Sequence, residues 1–60
     1  MTPALTQREQ DILLLIRLGK TNAEIAEELE VSINTIKTHT KYLFRKLGVR
    51  NRIEASIAAV

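Results

Sequence analysis

Sixty residues with a formal net charge of +2, 45% hydrophobic and lacking cysteine make at most one small domain, of a size that buries only about 60% of its unfolded surface. Disulfides, thiolate metal sites and cysteine nucleophiles are excluded, and the single histidine, His39, cannot build a multi-histidine metal cage. The longest apolar run, Ile12 to Ile16, is far below the roughly 20 residues that cross a bilayer, and no basic segment leads into an apolar one as in a secretion signal. The expectation is a cytoplasmic globular domain with an aliphatic core, since one Phe, one Tyr and no Trp cannot form one.

Met1 to Ala4 is linker-like, so residues 1–4 are expected to be a disordered stub and 5–60 the domain. Thr6-Gln7-Arg8-Glu9 is a capping box, followed by an apolar face of Ile12, Leu13, Leu15 and Ile16 and by Gly19 as a left-handed stop. A second box, Thr21-Asn22-Ala23-Glu24, opens a short helix with Ile25, Ala26 and Leu29 on one face. Ser32 caps a third, longer helix, predicted from Ile33 to Leu47 and ended by Gly48. Asn51-Arg52-Ile53-Glu54 opens a last helix expected to run to the C-terminus. No run alternates with period two, so the fold class is all-α with four helices. Only Glu30, Val31 and Ser32 separate Leu29 from Ile33, and no glycine lies between them. Two helices joined by so short a turn form a helix-turn-helix unit, with apolar Val31 drawn inward to lock the angle.

Charge is divided along the chain. Residues 1–31 carry three basic and six acidic side chains, residues 32–60 six basic and only Glu54 acidic, so the second half should attract polyanions. At 100° per residue, Ile33, Ile36, Thr40, Leu43, Phe44 and Leu47 share the expected core sector of the third helix. Opposite lie Asn34, Thr38, Lys41 and Arg45, flanked by Lys37 and Tyr42, with no acidic residue from 33 to 47. An ordinary solvent-facing helix mixes both signs. A helix about 22 Å long fits a major groove about 12 Å wide, where lysine reads guanine, asparagine reads adenine and a threonine methyl meets thymine. Arg45, three turns along, suits phosphate better than bases.

Four blocks then resemble a known family: LTQRE (Leu5–Glu9), G-x-T-N-x-E-I-A (Gly19–Ala26), V-S-x-N-T-I-K-T-H (Val31–His39) and K-L-G-V-R-N-R (Lys46–Arg52). In order and spacing they are similar to the LuxR-type DNA-binding domain, also called the NarL/FixJ or GerE type, over about residues 5–59. The resemblance implies a bacterial transcription regulator's effector domain, non-enzymatic and without cofactor, metal or small-molecule ligand. It implies double-stranded DNA as partner, the third helix in the major groove, a homodimer through the fourth helix, and RNA polymerase as a further partner. By the same resemblance Lys37, Thr38 and Lys41 face bases. Ser32, Asn34 and Thr35 meet phosphates or flanking bases, and Thr21 and Asn22 meet a phosphate at a helix N-terminus. Two departures stand out. Leu14 and Leu18 occupy positions usually polar in the family, and no regulatory domain of the kind that usually precedes this module lies within the chain, which leaves its controlling input open.

Arg50 and Arg52 flank the loop before the last helix, and Arg52 either reaches a DNA phosphate or pairs with a scaffold acid. In the last helix Ile53, Ile57 and Val60 share one face and Ala55, Ala58 and Ala59 another. Ala55 and Ala59 are expected inward and Ile53, Ile57 and Val60 toward a dimer partner; the alternative puts the isoleucines in the core and only alanine outside. His39 is expected to pack or to hydrogen-bond on the phosphate side, Ser32 and Ser56 have no neighbouring base, and Glu24, Glu27, Glu28 and Glu30 form a solvated face. The rival function is a helical protein-interaction module that docks a partner through the Leu14/Leu18 strip and the acidic scaffold face.

Overall fold

A computed structural model describes residues 4–58. They form α1 (Gln7–Arg17), α2 (Asn22–Leu29), α3 (Ile33–Leu47) and α4 (Arg52–Ile57), with no strand among the described residues. The first three residues of the expected stub, and Ala59 and Val60 of the last helix, lie outside that range.

The helices begin where their caps place them. Thr6 Oγ1 accepts the Glu9 N–H at 3.1 Å while Glu9 Oε1 accepts the Thr6 N–H at 2.8 Å, and Thr21 and Glu24 repeat both bonds at the same distances. Each box satisfies two donors that the first turn cannot pair internally. Ser32 Oγ accepts the Thr35 N–H at 3.1 Å. Asn51 Oδ1 accepts from Glu54 at 2.9 Å, but the Glu54 carboxylate reaches one residue further back than in a box, to the Arg50 N–H at 2.8 Å.

The helix ends are as local as the starts. Gly19, at φ +83°, closes α1: its N–H meets the Ile16 carbonyl at 2.9 Å and the Lys20 N–H meets Leu15 at 3.1 Å. Gly48 ends α3 in the same way at φ +69°. The end of α2 uses this geometry without glycine. Glu30 takes φ 58°, ψ 44°, and the Val31 N–H reaches the Ala26 carbonyl at 3.0 Å. A side chain in this region costs roughly 1–2 kcal/mol. Glu30→Gly should therefore stabilise the domain by about 0.5–1 kcal/mol, after the added freedom of the unfolded chain is subtracted. Thermal melting should show a midpoint several degrees higher, and an unchanged or lower midpoint would mean that the strain relieved is no larger than the freedom glycine adds to the unfolded chain.

α1 packs against both α3 and α4, and α2 packs against α3. The core takes Ile12, Leu13, Leu15 and Ile16 from α1, Ile25 and Ala26 from α2, Ile36 and Leu43 from α3, and Ala55 from α4, with Val31 packed partly buried against it. Thr40 is buried too, its Oγ1 without a hydrogen-bond partner among the described residues. Ile33 corrects the sector reading, because it is 41% exposed. Its angle places it inside the apolar sector, but it lies in the first turn of α3, so angle alone misplaces it. The last helix is also shorter than expected. It stops at Ile57, Ala58 is extended, and the Ala58 carbonyl accepts from Arg17 Nη2 at 2.6 Å. Within α4, Ala55 is fully buried while Ile53 and Ile57 are 76% and 78% exposed, which removes the arrangement with these isoleucines in the core.

Candidate nucleic-acid interface

The outer face of α3 is assembled as a surface. Asn34, Lys37, Thr38, Lys41, Tyr42 and Arg45 are all exposed, and the helix has no acidic side chain. The Arg45 guanidinium lies 5.7 Å from the Tyr42 ring centroid, a cation–π contact within the face. α1, α2 and α4 carry Glu9, Glu24 and Glu54 in their first turns, whereas α3 carries no acid there. The positive end of the α3 dipole is thus left uncompensated by any carboxylate of its own. At this end Ser32 and Thr35 share a hydroxyl–hydroxyl hydrogen bond of 2.8 Å; Ser32 is exposed and Thr35 half-buried.

A second cluster lies at the start of α2. Thr21 is exposed and Asn22 half-buried. Arg52 donates from Nη1 to Asn22 Oδ1 and from Nη2 to the Lys20 carbonyl, both at 2.6 Å. The sequence reading offered Arg52 a DNA phosphate or a scaffold acid. The structure shows a third arrangement, in which the guanidinium holds a neutral amide and a backbone carbonyl. An arginine in the first turn of a helix is a cation at the positive dipole end, and that misfit is the one sequence signal for such an internal role.

Lys46 is likewise withdrawn from the cationic face. Its Nζ donates to Glu9 Oε1 at 2.8 Å, with the Glu9 side chain only 5% exposed. Burial alone would push the Glu9 carboxyl up, but hydrogen bonds from Lys46 and Thr6 outweigh it and hold the group below its ordinary value. Glu24 is also held low, by the Thr21 backbone and side-chain hydrogen bonds of its capping box. Among residues 37–52, the side chains of Lys37, Lys41, Arg45 and Arg50 make neither an ion pair nor a hydrogen bond among the described residues, whereas Lys46 and Arg52 are engaged. His39 is half-buried on the flank of α3. Among the described residues no group of three or more His, Cys, Asp or Glu could hold a metal, and no helix is long and apolar enough to cross a membrane.

A family model for bacterial regulatory proteins of the LuxR family, GerE, matches residues 3–59. The chain belongs to this family. Within the GerE-type domain, α2 and α3 are the helix-turn-helix pair. The domain is 50% identical over 56 residues to the transcriptional regulatory protein LiaR of Bacillus subtilis, covering 93% of this chain and 26% of that protein. It is 50% identical over 58 residues to the HTH-type transcriptional regulator MalT of Vibrio campbellii, covering 97% of this chain and 6% of MalT. It is 51% identical over 51 residues to the CsgBAC operon transcriptional regulatory protein of Escherichia coli, covering 85% of this chain and 24% of the relative. The GerE-type chain therefore spans about a quarter or less of these relatives.

Proposed function

We propose that this LuxR-family domain binds double-stranded DNA as the effector module of a bacterial transcription regulator in the cytoplasm, without catalysis or cofactor. The observation that carries the reading is the outer face of α3, exposed, cationic and free of carboxylates along the whole helix. Lys37, Thr38 and Lys41 read base edges in the major groove, and Arg45 meets the phosphate chain. Asn34 and the Ser32–Thr35 pair face backbone or flanking bases at the start of α3. With Thr35 donating the shared proton, Ser32 spends its lone pairs inward and keeps its own O–H for a phosphate oxygen. Thr21 and Asn22 meet a phosphate at the start of α2.

A single recognition helix touches too few base pairs for high specific affinity, and two-fold pairing on DNA doubles the contacts. Ile53 and Ile57 are the exposed apolar residues of α4 and form the proposed seam; Val60, assigned to the same seam, lies outside the described residues. RNA polymerase is the protein partner proposed for the DNA-bound form. Leu14 on α1 and Leu18 at its C-terminal cap, 57% and 63% exposed, favour a second reading in which the domain is a helical protein-interaction module that docks a partner through that strip.

Salt dependence separates the two. Because Lys46 and Arg52 are engaged internally, roughly two to four cations per protomer are left for phosphates, and log K should fall with log salt at a slope of about −2 to −3.5 per protomer. Fluorescence anisotropy with a labelled duplex measures it. A slope near zero removes DNA as the ligand and promotes the α1 strip.

A further inference from the structure

We infer that Arg52 supports DNA binding as a positioning residue, holding the Asn22 side chain from α4 so that its amide N–H groups are presented at the start of α2; this rests on the function proposed above. A guanidinium can only donate hydrogen bonds, so the Asn22 atom that faces it is the oxygen. The two N–H donors of the same amide therefore point away from Arg52. The same turn carries the backbone N–H groups of Asn22 and Ala23, which the capping box leaves over: Thr21 donates to Glu24, Glu24 to Thr21 Oγ1, and Ile25 to the Thr21 carbonyl. A phosphate arriving there meets an amide whose orientation is already set.

The second guanidinium bond, to the Lys20 carbonyl, holds the other side of the turn. One planar group thus spans Lys20 to Asn22 and ties them to the first residue of α4. A single side chain both helps to seat α4 and orients Asn22. A lysine keeps the charge but cannot reproduce a planar two-point bridge. That difference separates positioning from direct phosphate contact, in which the charge itself is what counts.

The test titrates wild type, Asn22→Ala, Arg52→Lys and the double variant against a fluorescein-labelled duplex of mixed sequence, since phosphate contacts are independent of sequence. Arg17→Gln serves as comparison, because it removes a cation and another tether of α4 without touching Asn22. Circular dichroism establishes that each variant is folded at the titration temperature. Asn22→Ala and Arg52→Lys are each expected to weaken binding about tenfold. The double variant should bind no worse than about the weaker single, because both changes remove the same contact. Arg17→Gln should stay near wild type. Wild-type affinity in Arg52→Lys, or additive losses in the double, overturns the inference and leaves the DNA-binding reading intact. Wild-type protein that binds no duplex overturns both. If Arg52→Lys does not fold, Asn22→Ala decides: a tenfold loss supports the inference and full affinity ends it.

Discussion

Lys37→Ala and Lys41→Ala should each weaken binding to a selected duplex by about 1–3 kcal/mol and relax preference at one or two base positions. The two side chains stand one turn apart on the exposed face of α3, close enough for their effects to couple. The double variant should lose about 2–5 kcal/mol and approach the affinity of the domain for unrelated sequence. Arg45→Ala should instead weaken all sequences alike. Selection from a random duplex library, followed by competition titration, distinguishes these outcomes. Neither lysine makes an ion pair or side-chain hydrogen bond among the described residues, so thermal stability should be unchanged or slightly higher, since like charges at i and i+4 repel. Full affinity and an unaltered selected motif in both single variants would show that α3 does not read bases through these residues.

Glu9→Ala should cost about 2–3 kcal/mol, a large share of the few kcal/mol expected for a domain this small. It removes the acceptor for the Thr6 N–H and the partner of Lys46 in one step. Glu9→Gln can still accept from Thr6 and loses the charge only, so its cost should be smaller, about 1–2 kcal/mol. The two variants also differ from wild type in acid. The Glu9 carboxyl is held below its ordinary value of 4.5 in the folded domain. Its contribution to stability is therefore complete above that value and is lost as pH falls through the lower, folded one. Urea unfolding of wild type should show a decline in this window that Glu9→Gln flattens. Glu24 acts in the same direction but from an exposed site. An equal acid slope in wild type and Glu9→Gln would mean that Lys46 and Glu9 are not paired in solution.

The features legible in the sequence are those written within a few residues. Thr6 with Glu9, Thr21 with Glu24, and Gly19 and Gly48 mark starts and stops because capping chemistry acts over three to five positions. The outer face of α3 was equally readable, since helical geometry alone places Asn34, Lys37, Thr38, Lys41 and Arg45 together. What periodicity could not show is which cations are already spoken for. Lys46 meets Glu9, Arg52 meets Asn22 and Lys20, and Arg17 meets Ala58 across 37, 30, 32 and 41 positions, distances set by how the helices pack. Ile33 was misplaced for a related reason: a helical wheel knows the angle of a residue but not how far along the helix the core extends. Glu30 adopts a backbone conformation usually left to glycine, and no side-chain pattern announces it.

α3 enters any complex with its shape already settled. Ser32 holds its first turn, Gly48 terminates it, and Lys46 fastens its last turn to the beginning of α1. If α3 enters the groove as proposed, a helix assembled before the encounter has little ordering entropy to lose on docking. It also has little freedom to follow a duplex whose groove is too narrow or too straight. Adaptation then falls to the DNA, and the energy of bending or twisting it depends on base steps that the protein never touches. On the proposed reading, rigidity in this one helix extends sequence preference beyond its own contacts, into the mechanics of the flanking duplex.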